Sequence, residues 1–118
     1  MFFLALRIIA GCGNKANHHN KEGILLYNKG KYTEAIGGFK KALELNPDLY
    51  DAHYHLGIVY YAKDMTDESI SELKKAIDVN PNEPKAHYNI AFAYVAKEDV
   101  PKALGEYQKA IELYAARK

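Results

Sequence analysis

Residues 50–79 carry their apolar positions in two helix-like stretches separated by a polar break. In the first, Leu56, Val59 and Tyr60 share a face. In the second, Ile70, Leu73, Ala76 and Ile77 fall at i, i+3, i+6 and i+7, the spacing of one side of an α-helix. Between them Asp64-Met65-Thr66-Asp67-Glu68 is too polar to continue either face. Pro81 and Pro84 then end the second stretch, because proline lacks an amide hydrogen and clashes with the preceding turn. The pattern predicts a helix, a tight turn and a second helix. No segment shows a sustained alternation of period two, so no strand is expected.

This unit recurs. The run from Tyr50 to Lys63 (YDAHYHLGIVYYAK) returns 34 residues later from Pro84 to Lys97 as PKAHYNIAFAYVAK. Lys40-Lys41-Ala42-Leu43, Lys74-Lys75-Ala76-Ile77 and Gln108-Lys109-Ala110-Ile111 keep the same 34-residue offset, and Asn46-Pro47 recurs as Asn80-Pro81. Three units follow, at 16–49, 50–83 and 84–117. Their polar breaks fall at Lys29-Gly30-Lys31, Asp64–Glu68 and Lys97-Glu98-Asp99, and Pro101 suits the first turn of the last helix.

Paired helices repeating every 34 residues resemble the tetratricopeptide repeat family. Unit two matches its pattern at Leu56, Gly57, Tyr60, Ala76 and Pro81, with Ser69 for the usual alanine and Leu73 for the usual aromatic. Unit one matches at Gly23, Ala35, Phe39, Ala42 and Pro47; unit three matches at Tyr94, Ala103, Tyr107 and Ala110, with Ala91 for the glycine and Ala115 for the proline. Small residues at Gly23, Gly57 and Ala91 let the paired helices approach closely. The resemblance implies an all-α fold: a right-handed α-solenoid of three helix-turn-helix units, six helices in all, preceded by a short apolar leader at 1–15. Residues 16–118 form the repeat domain.

In such repeats the first helices line a concave groove that takes a peptide or protein segment, and the resemblance implies the same here. The groove positions are Asn20, Ile24 and Tyr27 in unit one, Tyr54, His55, Ile58 and Tyr61 in unit two, and Lys85, Tyr88, Asn89 and Phe92 in unit three. The aromatic and aliphatic members suit apolar side chains; Asn20, His55 and Asn89 suit backbone amides or carbonyls. Packing of the tyrosines between neighbouring first helices is the alternative. Family members that clamp a chaperone's C-terminal carboxylate need Lys and Asn at the positions of Asn20 and Ile24, Asn at His55, and Lys and Arg at Lys85 and Asn89. Only Lys85 matches, so that ligand is not expected.

His-Tyr-His at 53–55 looks at first like metal chemistry. His53 has counterparts at His19 and His87, one repeat away on either side. Side chains on parallel helices about 8–10 Å apart form a ladder, whereas a zinc–nitrogen bond is about 2 Å. His53 and His55, two residues apart, point to nearly opposite faces. Packing is the expected role, with no metal and no cofactor.

Composition adds exclusions. With a net charge of +1 and 26% charged residues, nothing favours nucleic acid as a partner. Lys40-Lys41 and Lys74-Lys75 read as solvated faces, and Asp64, Asp67, Glu68 and Glu72 as macrodipole and solubility residues. There is no glycine-rich phosphate loop and no nucleophile–base pair, so no enzymatic activity is expected. A single cysteine, Cys12, forbids an intrachain disulfide.

Both ends carry expectations of their own. The apolar start is too short to span a bilayer. Ile9-Ala10-Gly11-Cys12 resembles the lipobox of bacterial lipoproteins, which implies lipidation at Cys12, residues 13–17 as a tether and an extracytoplasmic, membrane-anchored location. Arg7 interrupts the apolar run, and the alternative is a leader that packs on the first repeat of a cytoplasmic protein. At the other end Leu104, Tyr107, Ile111 and Tyr114 have no following repeat to cover them, which predicts a self-association edge. The expected function is a non-catalytic interaction scaffold, with a self-assembling structural oligomer as the alternative.

Overall fold

The computed structural model describes the backbone of residues 2–117 and the side chains of residues 13–117. Six helices follow in order: α1 (Phe2–Asn28), α2 (Tyr32–Leu45), α3 (Tyr50–Ala62), α4 (Thr66–Val79), α5 (Pro84–Ala96) and α6 (Val100–Ala116). They pair as α1 with α2, α3 with α4 and α5 with α6, and stack into an all-α, right-handed solenoid with no strand among the described residues. The side chain of Cys12, the candidate lipidation residue, lies outside the described residues. α1 runs without a break across residues 13–17, the segment expected to act as a tether if Cys12 is lipidated.

Each pair turns at the same repeat position. Gly30, Asp64 and Glu98 have φ of 77°, 61° and 60°, the left-handed region in which only glycine escapes a clash between Cβ and backbone. The chain reverses there within three residues, and the second helix begins at once. Between repeats the turn is made by Asn-Pro: Asn46 Oδ1 accepts from the Asp48 amide at 3.1 Å, and Asn80 Oδ1 from the Asn82 amide at 3.4 Å.

Close approach within a pair depends on the missing side chain. A Cβ on Gly23 would lie 2.7 Å from the Phe39 ring, and one on Gly57 would lie 2.7 Å from Leu73 Cγ. Ser69, fully buried on α4, donates from Oγ to the Gly57 carbonyl at 2.6 Å and so ties the two helices at their nearest point. Across the repeat junctions, Phe39, Ala42, Leu56, Val59 and Tyr60 fill the α2–α3 core, while Leu73, Ile90, Tyr94 and Ala103 fill the next.

The histidine ladder is packing of a specific kind. His53 Nδ1 sits 2.7 Å from Glu72 Oε2 on α4, and its Nε2 sits 2.7 Å from the Pro47 carbonyl in the preceding turn. His87 repeats this with Glu106 at 2.7 Å and the Pro81 carbonyl at 3.1 Å. Each ring therefore bridges its own helix pair and the turn that enters it. His19 has no such partner, because Gly38 stands where Glu72 and Glu106 stand in the other units.

Candidate functional site

The open face of the first helices gathers most of its residues on α3 and α5. Ile58 and Tyr61 of α3 and Asn89 and Phe92 of α5 converge on a small cavity of about 40 Å³. Its floor is Gly57, Ser69 and Leu73, which the sequence marks only as helix-pairing residues. The same absent side chain that lets α4 approach α3 opens this socket. Tyr88 stands beside it, edge-on to Phe92 at 4.8 Å and to Tyr107 of α6 at 5.7 Å.

Asn89 lines the socket, and His55 lies on α3 against Phe39 of α2; their hydrogen bonds define what each can still do. Asn89 Nδ2 donates to the Tyr54 hydroxyl at 3.1 Å and to the Lys85 carbonyl at 2.8 Å, which occupies both of its protons. Its Oδ1 remains as an acceptor. His55 Nδ1 donates to the Asp51 carbonyl at 2.7 Å, so in the neutral ring Nε2 is an acceptor too. The ring is held by stacking on Phe39 at 5.9 Å and by the edge of Tyr54 at 5.2 Å. The face thus presents two acceptors, one on each of two successive first helices.

The α1 residues are placed differently. Asn20 is buried at 5% exposure, and its Oδ1 has no partner; shorter than Tyr54 and Tyr88 at the same repeat position, it does not reach the surface. Ile24 and Tyr27 are half-buried against the α2–α3 core, with Tyr27 tilted on Tyr32 at 5.6 Å. Tyr54 is also half-buried, and its hydroxyl accepts from Asn89 of the next first helix. Lys85 is exposed at the mouth.

A half-buried tyrosine at the start of α3 lies outside the predicted set. Tyr50 stacks on Tyr54 at 5.9 Å, with its hydroxyl buried and unpartnered. Burial, reinforced by the nearby Glu83 carboxylate, pushes the Tyr50 hydroxyl well above the usual tyrosine range. Burial also raises Tyr54, against the opposing pull of the Asn89 hydrogen bond. Both are neutral hydroxyls at physiological pH.

Two larger clefts, about 380 and 390 Å³, lie at the repeat junctions around Pro47, His53 and Lys75 and around Pro81, His87 and Lys109. Their histidines already have both ring nitrogens engaged. Among the described residues no group of three or more His, Cys, Asp and Glu side chains converges as a metal site, and no helix is long and apolar enough to cross a membrane.

Comparison with known proteins gives a consistent picture. The family model described as TPR repeat matches residues 23–64 and 66–98. A crystal structure of MamA superposes with a TM-score of 0.85 at 27% identity, over 87% of this chain and 60% of that one. MamA MSR-1 C2 gives 0.82 at 28%, over 93% and 63%. The first TPR of Spaghetti (RPAP3), bound to the HSP90 peptide SRMEEVD, gives 0.84 at 23%, over 86% and 80%, and shows the fold alone. The chain spans about three-fifths of the length of the MamA chains it matches. No curated protein matches the sequence.

Proposed function

Because this chain belongs to the tetratricopeptide repeat family, we propose that it is an interaction scaffold whose α3–α5 face binds an extended peptide segment. The observation that carries this reading is the socket between Ile58, Tyr61 and Phe92, lined also by Asn89 with its Oδ1 acceptor, with a second acceptor, His55 Nε2, elsewhere on α3. A small apolar side chain fills the socket, while backbone amides of the same peptide donate to the two acceptors. Exposed Tyr61, Tyr88 and Phe92 supply rigid contact area on either side.

The same acceptors argue against an acidic C-terminal tail such as the HSP90 peptide held by the Spaghetti repeat. A terminal carboxylate is best held by converging cationic donors, and Lys85 is the one cation among the predicted groove residues. Internal segments, with their amides free to donate, fit better.

The test is selection from an unbiased display library of internal peptides, comparing the wild type with Phe92→Ala and Asn89→Leu. Both variants should lose the selected peptides by tenfold or more while keeping the wild-type helical signal. Equal retention by all three would contradict the reading. The lipid-anchored location rests on the Ile9-Ala10-Gly11-Cys12 match; radiolabelled palmitate should enter the wild type and not Cys12→Ser in a bacterial host.

A further inference from the structure

His53 and His87 each hold both ring nitrogens against oxygens that accept hydrogen bonds. Nδ1 of His53 lies 2.7 Å from Glu72 Oε2, and Nε2 lies 2.7 Å from the Pro47 carbonyl. In His87 the distances are 2.7 Å to Glu106 Oε2 and 3.1 Å to the Pro81 carbonyl. A neutral imidazole carries one N–H, so its second nitrogen would set a lone pair against the lone pairs of an oxygen. Each clasp is satisfied only when it holds one proton more than a neutral imidazole beside a free carboxylate. That proton completes an imidazolium, or it sits on the carboxyl oxygen, which then donates to Nδ1.

The surroundings favour keeping it. Burial opposes a charged ring, and His53 and His87 are 7% and 5% exposed. Carboxylates oppose burial. The clefts over His53 are lined by Lys40 and Glu44 of α2, Asp48 of the turn, and Glu72, Lys75 and Asp78 of α4, so acidic groups outnumber basic ones. His87 meets Glu106, Glu112 and Lys109 of α6, while α4 and the turn add Ile77 and Pro81 to that cleft. The direct carboxylate contact decides the balance, because removing the proton leaves Glu72 or Glu106 pressed against a lone pair. Lys75 and Lys109 lie 3.2 and 3.8 Å from the same carboxylates, but both are more than half exposed and solvent weakens their compensation.

These rings sit where loosening has consequences. His53 ties α3 to α4 and to the α2–α3 turn, and His87 ties α5 to α6 and to the α4–α5 turn. Unit one is built differently: Gly38 stands in the glutamate position, and His19 faces Glu22 of its own helix at 3.3 Å. We infer that both repeat junctions are proton-held, so that the stack is tightest with the two clasps protonated and loosens as alkalinity strips them. An unfolded histidine gives up its proton near pH ~6.5. The folded clasps keep theirs above that pH. Their stabilisation is therefore whole below it and is lost as pH climbs through the clasps' own release. The inference does not depend on the peptide-binding face.

Urea unfolding of the 118-residue chain between about pH 6 and about pH 8.5 tests it, comparing the wild type with the Glu72→Gln, Glu106→Gln double variant. Glutamine keeps both hydrogen bonds around a neutral ring: its amide donates to Nδ1, and the Nε2 proton goes to the carbonyl. The wild-type folding constant should drop about tenfold more than the variant's across that range, and His19→Gln should follow the wild type. A second readout needs no variant. Calorimetric unfolding in buffers of different ionisation heat should show the wild type releasing protons at about pH 7.5. Three results would each overturn the proposal: parallel pH profiles for wild type and double variant, no proton release on unfolding at that pH, or a profile flattened as much by His19→Gln as by the double variant.

Discussion

At the scale of single residues, the repeat lets each side chain be judged against its counterparts. Gly30, Asp64 and Glu98 share one left-handed turn position, which glycine adopts freely, aspartate tolerates and glutamate suits least. Glu98→Gly should therefore stabilise the protein by about 1 kcal/mol, the order of the αL penalty of a side chain with a Cβ. Urea unfolding would show it as a higher midpoint with unchanged slope. The buried tyrosines give a second expectation. Unfolded tyrosine ionises near pH ~10, whereas burial raises Tyr50 and Tyr54 above that in the fold. The folded state holds these protons more tightly, so their contribution is whole below about pH 10 and is lost as pH climbs through the raised values. The Tyr50→Phe, Tyr54→Phe double variant should lose less stability between neutral and strongly alkaline pH than the wild type, followed by circular dichroism. The histidines show what was legible and what was not. Ladder geometry in the sequence excludes a shared metal at His19, His53 and His87. The carboxylate partners Glu72 and Glu106 lie on a different helix, 19 residues away in both cases. That shared offset, with Gly38 in its place beside His19, is the signal in the sequence that would have found them.

At the scale of elements, glycine has opposite meanings at different helix positions. Gly57 faces Leu73 Cγ with no room for a methyl group, so Gly57→Ala should cost about 1–3 kcal/mol through forced repacking. Gly37 on α2 and Gly105 on α6 have nothing within 4 Å of a Cβ position, so alanine there should add about 0.5–1 kcal/mol each. Thermal midpoints of the three single variants should fall on opposite sides of the wild type. Helix ends at prolines and polar turns were readable because each has a local chemical cause: Pro47, Pro81 and Pro84 between repeats, and polar breaks within them. The start of α1 was not readable. No proline precedes Pro47, and Gly13 stands where units two and three carry Pro47 and Pro81. A glycine costs a helix only about 1 kcal/mol, so nothing local stops α1 from running through.

At the scale of the whole molecule, a 34-residue repeat with one apolar face per helix leaves a stacked solenoid as the way to bury those faces, which is why the architecture follows from the sequence. Which first helices keep an open face does not follow from repeat position alone. Positions equivalent by number differ in what surrounds them: Tyr88 is exposed, Tyr54 is half-covered and bonded to Asn89, and Asn20 is buried. The socket depends on three helices at once, since α4 supplies its floor, and no single-helix pattern encodes that. The most direct measurement is the affinity of a library-selected, fluorescently labelled internal peptide for the wild type, Phe92→Ala and Ile111→Glu, by anisotropy. Binding to Phe92→Ala should be at least tenfold weaker, and binding to Ile111→Glu unchanged. Binding that survives Phe92→Ala but is lost with Ile111→Glu would move the ligand to the α6 edge and contradict the assignment of the α3–α5 face.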